Sequence, residues 1–277
     1  MPDTPLVYLI VLTWNGKEDT LECLKSLRQL TYKNARILVV DNASIDGTVD
    51  AVRHDFPNVG LIVNESNLRF AGGSNVGMKH ALENGAGYVL LLNNDTIVDH
   101  EFLTHLVQLA ESDKNAGMIG PKIYYYSDPK RLWFAGGKIE WWKGWISHVG
   151  IRESERGQYD AVKEVDYLTG CCLLVKREVI ERIGMLDEAY YIYGEDVDWC
   201  LQAAQAGYKI FYVPSAVIWH KVSMSTGGHL SWYKNWNKLK SQLRLMARYA
   251  KPYHWLTIPV WMMVNAVSGY LSMRRSR

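Results

Sequence analysis

Apolar positions along the first half of the chain follow two alternating patterns. Short apolar runs, which predict buried strands, alternate with segments in which apolar residues recur every three or four positions, which predict helices. The predicted strands are Val7–Thr13, Arg36–Asp41, Val59–Asn64 and Tyr88–Asn93. The predicted helices are Thr20–Leu30, a short helix from Thr48 through Val52, Ser74–Leu82 after a Gly72-Gly73 turn, and Phe102–Leu109. This alternation predicts right-handed βαβ units and a mostly parallel central sheet flanked by helices, an α/β fold.

The pattern changes near Gly117, where short aromatic segments punctuated by glycine predict hairpins. These segments are Tyr124–Tyr126, Trp133–Phe134 and Lys138–Trp145. Later predicted elements are a buried strand at Leu173–Val175, a helix at Asp196–Ala206 that ends at Gly207, and a last strand at Lys209–Val213 that Pro214 stops. The sequence contains no low-complexity linker or internal repeat, so we expect one continuous domain with a specialised second half.

The C-terminal segment has a third pattern. Between Trp232 and Tyr249, apolar residues recur at helical spacing with lysines and arginines between them, which predicts a basic amphipathic helix. The apolar stretch Trp255–Leu271 that follows is interrupted by Pro259 and Asn265 and is shorter than the roughly 20 residues that a membrane span needs. The tail therefore packs on its own domain, lies in a membrane interface, forms a hairpin with a neighbour, or is a truncated membrane segment. Tryptophans and cations occur together there, which favours the interface.

Composition narrows the function classes. The 277 residues carry a net charge of only +2, which argues against a general nucleic-acid binder. From Lys234 onward, however, there are basic residues and no Asp or Glu, which predicts a tail that seeks an anionic surface. The four cysteines form no CxxC pair, and no basic segment precedes the apolar run Leu6–Leu12. We therefore expect reduced cysteines and a cytosolic catalytic domain.

Two groups of carboxylates carry the candidate chemistry. Asp95 directly follows a predicted buried strand, at the strand end where open α/β sheets bind ligands. A second acidic cluster contains Glu195, Asp196 and Asp198, and His220 follows it. Oxygen from Asp95 and nitrogen from His220 are ligands that Mg²⁺ or Mn²⁺ accepts. Two carboxylate centres and a histidine at one sheet edge are typical of a metal-assisted transfer enzyme.

Each of these residues also has a structural interpretation. Asp41 ends a predicted strand and is suited to bind a nucleobase or ribose, but Asp there is also typical of a turn. The glycine-rich segment from Asn67 to Gly77 lacks the spacing of known dinucleotide and phosphate loops, so a diphosphate site and an ordinary turn both remain open. Asp196 is either a general base, with a pKa raised by burial and by neighbouring carboxylates, or an acid that stabilises a helix N-terminus.

Together these residues resemble family 2 glycosyltransferases with the GT-A fold, in the branch that contains rhamnosyl- and galactofuranosyltransferases. The resemblance covers about Val7 to Asn237. Its markers are Thr13-Trp14-Asn15-Gly16, Val39–Ser44, Asn67–Gly77, Leu91–Thr96, Gly170, Glu195–Asp198, Gly207-Tyr208 and Val213-Pro214 with His220.

The resemblance implies a GT-A domain at 1–230, with a nucleotide-sugar half at about 1–116 and an acceptor half at about 117–230, and a helical tail at 231–277. It implies inverting transfer from a UDP- or dTDP-linked sugar, dTDP-rhamnose among them, to a hydroxyl of a lipid-linked or cell-surface glycan. It also implies an Mn²⁺ or Mg²⁺ cofactor and an enzyme at the inner face of the cell membrane, with peripheral contact through the tail.

The resemblance implies the following site residues: Asp196 and Glu195 as catalytic residues; Thr13, Asn15, Asp41, Asn67, Gly73, Asn75, Asn94 and Asp95 as the nucleotide-sugar site; Gly170, Tyr193 and Trp199 on the acceptor side; and Asp95 and His220 as metal ligands. Three positions depart from the branch: Asn93 replaces the first Asp of the D-x-D motif, Arg69 stands where Gly is general, and Trp236 stands where Arg is common.

Two other functions remain open. A catalytically silent module that binds nucleotide sugars would have the same fold, although the combination of Asp95, Asp196 and His220 argues against it. A nicotinamide-dependent oxidoreductase would fit the alternating pattern, but the sequence lacks the dinucleotide fingerprint.

Overall fold

The computed structural model describes residues 4–222 and 232–264, and for residues 232–235 the backbone alone. The first half alternates strands and helices as predicted. Its elements are β1 (Val7–Thr13), α1 (Lys17–Leu27), β2 (Ala35–Asp41), α2 (Thr48–Asp55), β3 (Gly60–Val63), α3 (Arg69–Glu83), β4 (Tyr88–Asn93), β5 (Thr96–Val98) and α4 (Phe102–Ser112). The limits predicted for β1 and β4 are confirmed to the residue, because both strands are almost wholly buried and their apolar runs are unbroken.

The second half is richer in antiparallel strands, as the aromatic segments predict. Its elements are β6 (Ala116–Tyr125), β7 (Asp128–Phe134), β8 (Gly137–Glu140), β9 (Trp145–His148), β10 (Lys163–Glu164), β11 (Cys172–Lys176), α5 (Arg177–Ile183), α6 (Glu195–Gln205), β12 (Lys209–His220) and α7 (Trp232–Tyr249). Single 3-10 turns occur at Trp141–Lys143 and Pro252–Leu256. The four cysteines are free and buried.

In the described part of the chain, ten strands form a mixed sheet with the central order β10-β12-β6-β11-β4-β1-β2-β3. Strands β1 to β4 are mutually parallel, and β12 is parallel to β6. Strand β11 lies antiparallel between β4 and β6. Because of this reversal, the loop that enters β11 lies at the same sheet edge as the carboxyl end of β4.

The prediction that Pro214 stops the last strand is wrong. Strand β12 continues to His220, and its register with β6 shifts between Val213 and Val217. Proline has no N–H to donate, and a bulge is a position where the ladder does not require one. The continuation brings His220 to the carboxyl edge of the sheet, where it pairs with Thr96 of β5.

The predicted Gly72-Gly73 turn is also wrong, because α3 begins at Arg69 and both glycines lie inside it. The glycines allow this helix to pack closely on the sheet. A Cβ atom at Gly73 would lie 2.5 Å from Leu12, and one at Gly77 would lie 2.6 Å from Ile10. Local turn preference is therefore overridden by tertiary packing.

The predicted amphipathic helix α7 is confirmed, and one side of it packs on the domain. Leu245 and Met246 are buried, and the Ser241 hydroxyl donates to the carbonyl of Ile192 at 3.1 Å. Among the described residues, no helix is both long enough and apolar enough to cross a membrane. Residues 265–271 of the predicted apolar stretch lie outside the described residues.

We expect Gly77→Ala to lower the free energy of unfolding by about 1–3 kcal/mol, because the added methyl group would force α3 away from β1. Denaturant unfolding followed by circular dichroism measures this. Gly87→Ala is the matched control, since its Cβ would make only an ordinary contact of 3.5 Å with Pro5, and we expect a change within about 0.5 kcal/mol. Equal stability of the two variants would contradict the packing argument.

Candidate active site

The carboxyl ends of β1 and β4 are joined by the side chain of Asn94. Its amide donates to the hydroxyl of Thr13 at 3.2 Å and to that of Thr20 at 3.0 Å. Thr13 and Thr20 also bond to each other at 2.8 Å. The central residue of the Asn93-Asn94-Asp95 motif therefore fixes the loop geometry. A direct role of Asn94 and Thr13 in donor binding stays a prediction.

Asp41 lies at the end of β2, fully buried. Its Oδ1 accepts the N–H of Ser44 at 2.8 Å, which is the turn that the local sequence favours. The Asn15 side chain connects this turn to the end of β1, because its Oδ1 accepts the N–H of Ile45 at 2.8 Å. The other oxygen of Asp41, Oδ2, is buried without a hydrogen-bond partner. A buried acceptor without a donor is costly, and an N–H or O–H of a ligand would satisfy it.

Asp95 and His220 meet at the same edge. The Nε2 atom of His220 lies 3.1 Å from Oδ1 of Asp95, and the side chains are only 8% and 11% exposed. The pair is held from the backbone, since the N–H of Lys221 donates to the carbonyl of Asp95 at 2.9 Å. The Trp133 ring packs edge-on against His220, with centroids 4.5 Å apart. The Nδ1 atom of His220 is buried without a partner.

This pair fits a divalent cation that is shared with a substrate. No cluster of three or more His, Cys, Asp or Glu side chains that could hold a metal occurs among residues 4–222 and 232–264. A carboxylate and an imidazole at contact distance would fill only part of a coordination sphere. Mg²⁺ and Mn²⁺ in nucleotide enzymes commonly take their remaining ligands from substrate phosphates and water.

Asp196 is held in place by backbone donors. Its Oδ2 accepts the N–H of Gly170 at 2.8 Å, and its Oδ1 accepts the N–H of Val197 at 2.8 Å. Burial raises the pKa of Asp196 above the usual Asp value, while these two N–H groups act in the opposite direction. A raised pKa together with fixed geometry is what a general base requires. Gly170 thus orients the candidate base, and its predicted contact with the acceptor stays a prediction.

Glu195 is the buried neighbour of Asp196. Its side chain is 7% exposed, and its Oε2 has no hydrogen-bond partner. Burial, and secondarily the charge of Asp196, raise the pKa of Glu195 to about 8. At neutral pH, Glu195 therefore favours its protonated form. The acids do lie in the first turn of α6, as the structural interpretation predicts, and the role of Asp196 as a base stays a prediction.

The segment 170–172 connects the two carboxylate centres. The carbonyl of Cys171 accepts the N–H of Asn93 at 2.9 Å, and Cys172 pairs with Leu92 in the sheet. Gly170, which precedes Cys171, donates its N–H to the carboxylate of Asp196. Burial raises the pKa of the Cys171 thiol, and the charges of both Asp95 and Asp196 add to this effect. The charges of both acids therefore act on the buried Cys171 thiol.

Trp199 does not belong to this site. The side chain is fully buried, and its indole N–H donates to the carbonyl of Gly184 at 2.9 Å. The predicted acceptor contact of Trp199 is wrong, because the ring has no surface to offer. Helical spacing turns Trp199 into the core, while Glu195 and Asp196 stay at the N-terminus of α6.

Asp198 also points away from the cleft. Its fully buried carboxylate accepts hydrogen bonds from Arg248 at 3.0 Å and from Tyr249 at 2.8 Å, both at the end of α7. It also accepts from Tyr190 and Gln202. The sequence analysis does not identify this contact. The available signal is the basic tail, since a buried acid needs a partner and the tail has cations but no acids.

The remaining predicted donor residues hold the loops around the cleft. The Asn75 amide donates to the carbonyl of Leu186 at 3.0 Å and to the carboxylate of Glu188 at 2.8 Å, which ties α3 to the loop before α6. Asn67 closes a turn by accepting the N–H of Arg69 at 2.8 Å. Tyr193 has a left-handed backbone, with φ of 68°, two residues before α6 begins at Glu195. The ligand contacts predicted for these residues, and for Gly73, stay predictions.

Arg69, which stands where the family branch generally has glycine, has the backbone conformation that glycine favours. Its φ is +62°, a left-handed conformation that glycine adopts without strain. The guanidinium lies 3.3 Å from the ring centroid of Tyr191, so the arginine connects the donor-side turn with the loop before α6. This cation–π contact offsets part of the backbone strain.

Comparison with solved structures defines the class. A structure of GalNAc-T7 with UDP, GalNAc and Mn²⁺ superposes with a TM-score of 0.71 over 91% of this chain at 16% identity, and this chain covers 49% of that one. The mannosyltransferase PcManGT of Pyrobaculum calidifontis, solved with GDP-Man and Mn²⁺, superposes with a TM-score of 0.62 over 99% of this chain and 81% of its own at 19% identity. The fold is that of the GT-A glycosyltransferases.

Sequence comparison then identifies the family. The model of "Glycosyl transferase family 2" matches residues 8–184, and the chain belongs to this family. The N-acetylglucosaminyl-diphospho-decaprenol L-rhamnosyltransferase of Mycobacterium tuberculosis is 28% identical over 81% of this chain and 78% of its own length. The dTDP-rhamnosyl transferase RfbF of Shigella flexneri is 26% identical over 78% and 69%. The chain is therefore a glycosyltransferase, as the resemblance implies.

The raised pKa of Glu195 predicts a pH-dependent stability. Because the folded state binds this proton more tightly than the unfolded state does, stability falls as the pH rises from the ordinary Glu value of 4.5 toward 8. We expect Glu195→Gln to be more stable than the unaltered protein at pH 9, by at least about 1 kcal/mol, and equal to it near pH 4. Denaturant unfolding across this range measures the difference, and a constant difference at every pH would contradict the prediction.

Proposed function

We propose that the enzyme is a metal-dependent inverting glycosyltransferase that takes its sugar from a nucleoside-diphosphate donor. The observation that carries the proposal is the arrangement of two chemically different centres at one sheet edge. The Asp95–His220 pair and the backbone-held Asp196 are connected by the short segment 170–172. The division into a donor half at 1–116 and an acceptor half at 117–230 agrees with this arrangement and is part of the proposal.

In the proposed reaction, Asp196 accepts the proton of the acceptor hydroxyl. Gly170 and Val197 keep its two oxygens directed, so that the hydroxyl oxygen attacks the anomeric carbon as its proton leaves. The bond from the anomeric carbon to the diphosphate breaks on the opposite side, and a single displacement inverts the stereochemistry. Glu195 in its protonated form adds no second negative charge beside the base.

The donor side would hold the leaving group. Mn²⁺ or Mg²⁺, when bound by Asp95 and His220, would stabilise the negative charge of the departing diphosphate. The partnerless Oδ2 of Asp41 would accept a hydrogen bond from the base or ribose of the nucleotide. Asn94 and Asn15 would keep the surrounding loops in register through the contacts described above.

The relatives favour a particular substrate class. One is named for dTDP-rhamnose and another for an acceptor linked to decaprenyl diphosphate, which supports a UDP- or dTDP-linked donor, with dTDP-rhamnose preferred. The proposed acceptor is a hydroxyl of a lipid-linked or cell-surface glycan. We propose that the enzyme reaches such an acceptor at the cytoplasmic face of the membrane, with peripheral contact through residues 231–277.

We expect Asp196→Asn to reduce transfer at least about a hundredfold, because the amide accepts no proton, while nucleotide affinity changes little. Stability should fall by about 1 kcal/mol, since the amide nitrogen cannot accept one of the two N–H groups of Gly170 and Val197. Product-nucleotide release across UDP-, dTDP- and GDP-sugars, together with calorimetric titration of the nucleotide, measures both properties. Asp198→Asn is the matched control in the same helical turn. It removes the charge that Arg248 and Tyr249 hold, so we expect a loss of roughly 2–3 kcal/mol of stability.

Full activity of Asp196→Asn would remove Asp196 from the role of base. If the unaltered protein binds nucleotide sugars but turns none over with any membrane extract as acceptor, the chain is a binding module.

The metal assignment is tested by Mn²⁺ binding in the presence of UDP or dTDP. We expect Asp95→Asn and His220→Ala each to weaken Mn²⁺ binding at least about tenfold in calorimetry, because each removes one of two protein donors. His54→Ala is the control, since His54 is 89% exposed and its ring contacts Asp55 rather than Asp95. Unchanged Mn²⁺ affinity in both site variants would contradict the assignment.

A further inference from the structure

Helix α7 buries Leu245 and Met246, but it also exposes three apolar side chains and buries two polar ones. Trp236, Leu239 and Leu243 are 44%, 36% and 39% exposed, at the spacing of one helix face. On the inner side, Asn237 and Ser241 are each only 7% exposed. A helix that meets only water on its outer side normally shows the reverse arrangement. An exposed apolar stripe of this kind marks a contact surface.

This stripe is part of a larger surface that includes the tip of the β8–β9 hairpin. The side chain of Gln242 donates to the carbonyl of Gly144, and a Cβ on Gly144 would lie 3.2 Å from Ile258. The hydroxyl of Thr257 donates to the carbonyl of Trp142. Residues 141–145, the outer side of α7 and residues 253–264 therefore form one packed unit, which we call the docking face.

The docking face is strongly apolar. Beyond the α7 stripe, its most exposed apolar side chains are Trp142, Leu256, Val260 and Met263, which are 53%, 78%, 61% and 69% exposed. Trp142 packs against Tyr253, with ring centroids 5.5 Å apart, so the hairpin and the tail are continuous at the surface. These exposed side chains are separate from the apolar residues that form the buried core.

Charge accompanies the apolar surface. Residues 232–264 contain six Lys and Arg residues and no Asp or Glu. Arg244 and Arg248 turn inward to Asp187 and Asp198, whereas Lys238, Lys240 and Lys251 are exposed. The ammonium group of Lys143 also lies 5.3 Å from the ring centroid of Trp261. Aromatic rings beside cations, with aliphatic side chains between them, are typical of proteins that lie in the interface of an anionic bilayer.

We propose that the docking face binds the surface of an anionic lipid bilayer. A second copy of the chain fits this face less well. In a two-fold contact the cations of residues 232–264 would face the same cations of the other copy, and this segment has no Asp or Glu to pair with them. The bilayer would be the partner of the tail in the proposed function. Vesicle binding itself does not depend on the proposed function, and only its biological meaning rests on it.

The docking face is attached to the turn that carries Asp196 by two hydrogen bonds, from Ser241 to Ile192 and from Arg248 to Asp198. Bilayer binding would thus bring the acceptor side of the cleft to the lipid surface.

Sedimentation with vesicles tests the proposal. The full chain is mixed with vesicles of phosphatidylglycerol and phosphatidylcholine, and with vesicles of phosphatidylcholine alone. We expect stronger binding to the anionic vesicles, and at least about a tenfold loss of partitioning in Leu239→Glu/Leu243→Glu and in Lys238→Glu/Lys240→Glu. Ile151→Glu/Val162→Glu and Lys130→Glu/Lys163→Glu, at exposed positions outside the docking face, are matched controls that should bind as the unaltered protein does.

Three measurements keep the outcomes distinct. Circular dichroism shows that each variant is folded, and sedimentation velocity reports self-association. Equal vesicle binding by the docking-face variants and their controls would overturn the proposal. The proposal would also be overturned if the unaltered protein is a dimer, and Leu239→Glu/Leu243→Glu dissociates this dimer without changing vesicle binding. The docking face would then bind a second copy of the chain. Nucleotide release with a water-soluble acceptor should be unaffected in these variants, so a failure of the proposed catalysis is seen separately.

Discussion

The antiparallel insertion of β11 between two parallel strands is the constraint on which the site depends. In a purely parallel sheet, the loop that enters this position would lie at the opposite edge. The reversal places residues 170–172 beside the carboxyl end of β4, where Cys171 bonds to Asn93 and Gly170 bonds to Asp196. One short segment thereby holds the first turn of α6 against the end of β4, which Asp95 follows. The continuation of β12 past Pro214 adds His220 from the other side.

Each buried acid at this edge of the sheet has different contacts, and these contacts affect whether it is ionised. Backbone N–H groups compensate the desolvation of Asp196, whereas Glu195 has an oxygen without a partner and favours its proton. Asp198, two residues further, has its charge neutralised by α7. Three acids in one turn thus have three different environments, which act differently on their ionisation. The tail contributes to the stability of the first turn of α6 as well as to the outer surface.

Much of the fold could be predicted from the sequence, because buried strands have unbroken apolar runs and parallel connections follow general rules. The strand at Tyr88–Asn93 is the clearest example, and Asp95 and His220, predicted to share one sheet edge, are in contact there. The predictions failed where tertiary packing overrides local preference. Glycines that indicate a turn allow α3 to pack on the sheet, Pro214 is accommodated in a bulge, and the helix phase turns Trp199 into the core. The partners of Asp198 on α7, Arg248 and Tyr249, lie 50 and 51 residues away in sequence, beyond the reach of local patterns.

The most direct measurement is a crystal structure of the enzyme with Mn²⁺ and a non-hydrolysable nucleotide-sugar donor. The account predicts that the diphosphate is bound beside Asp95 and His220, with the Asp196 carboxylate on the opposite side of the anomeric carbon. A donor whose anomeric carbon lies outside the reach of Asp196, or a metal bound away from Asp95, would contradict it.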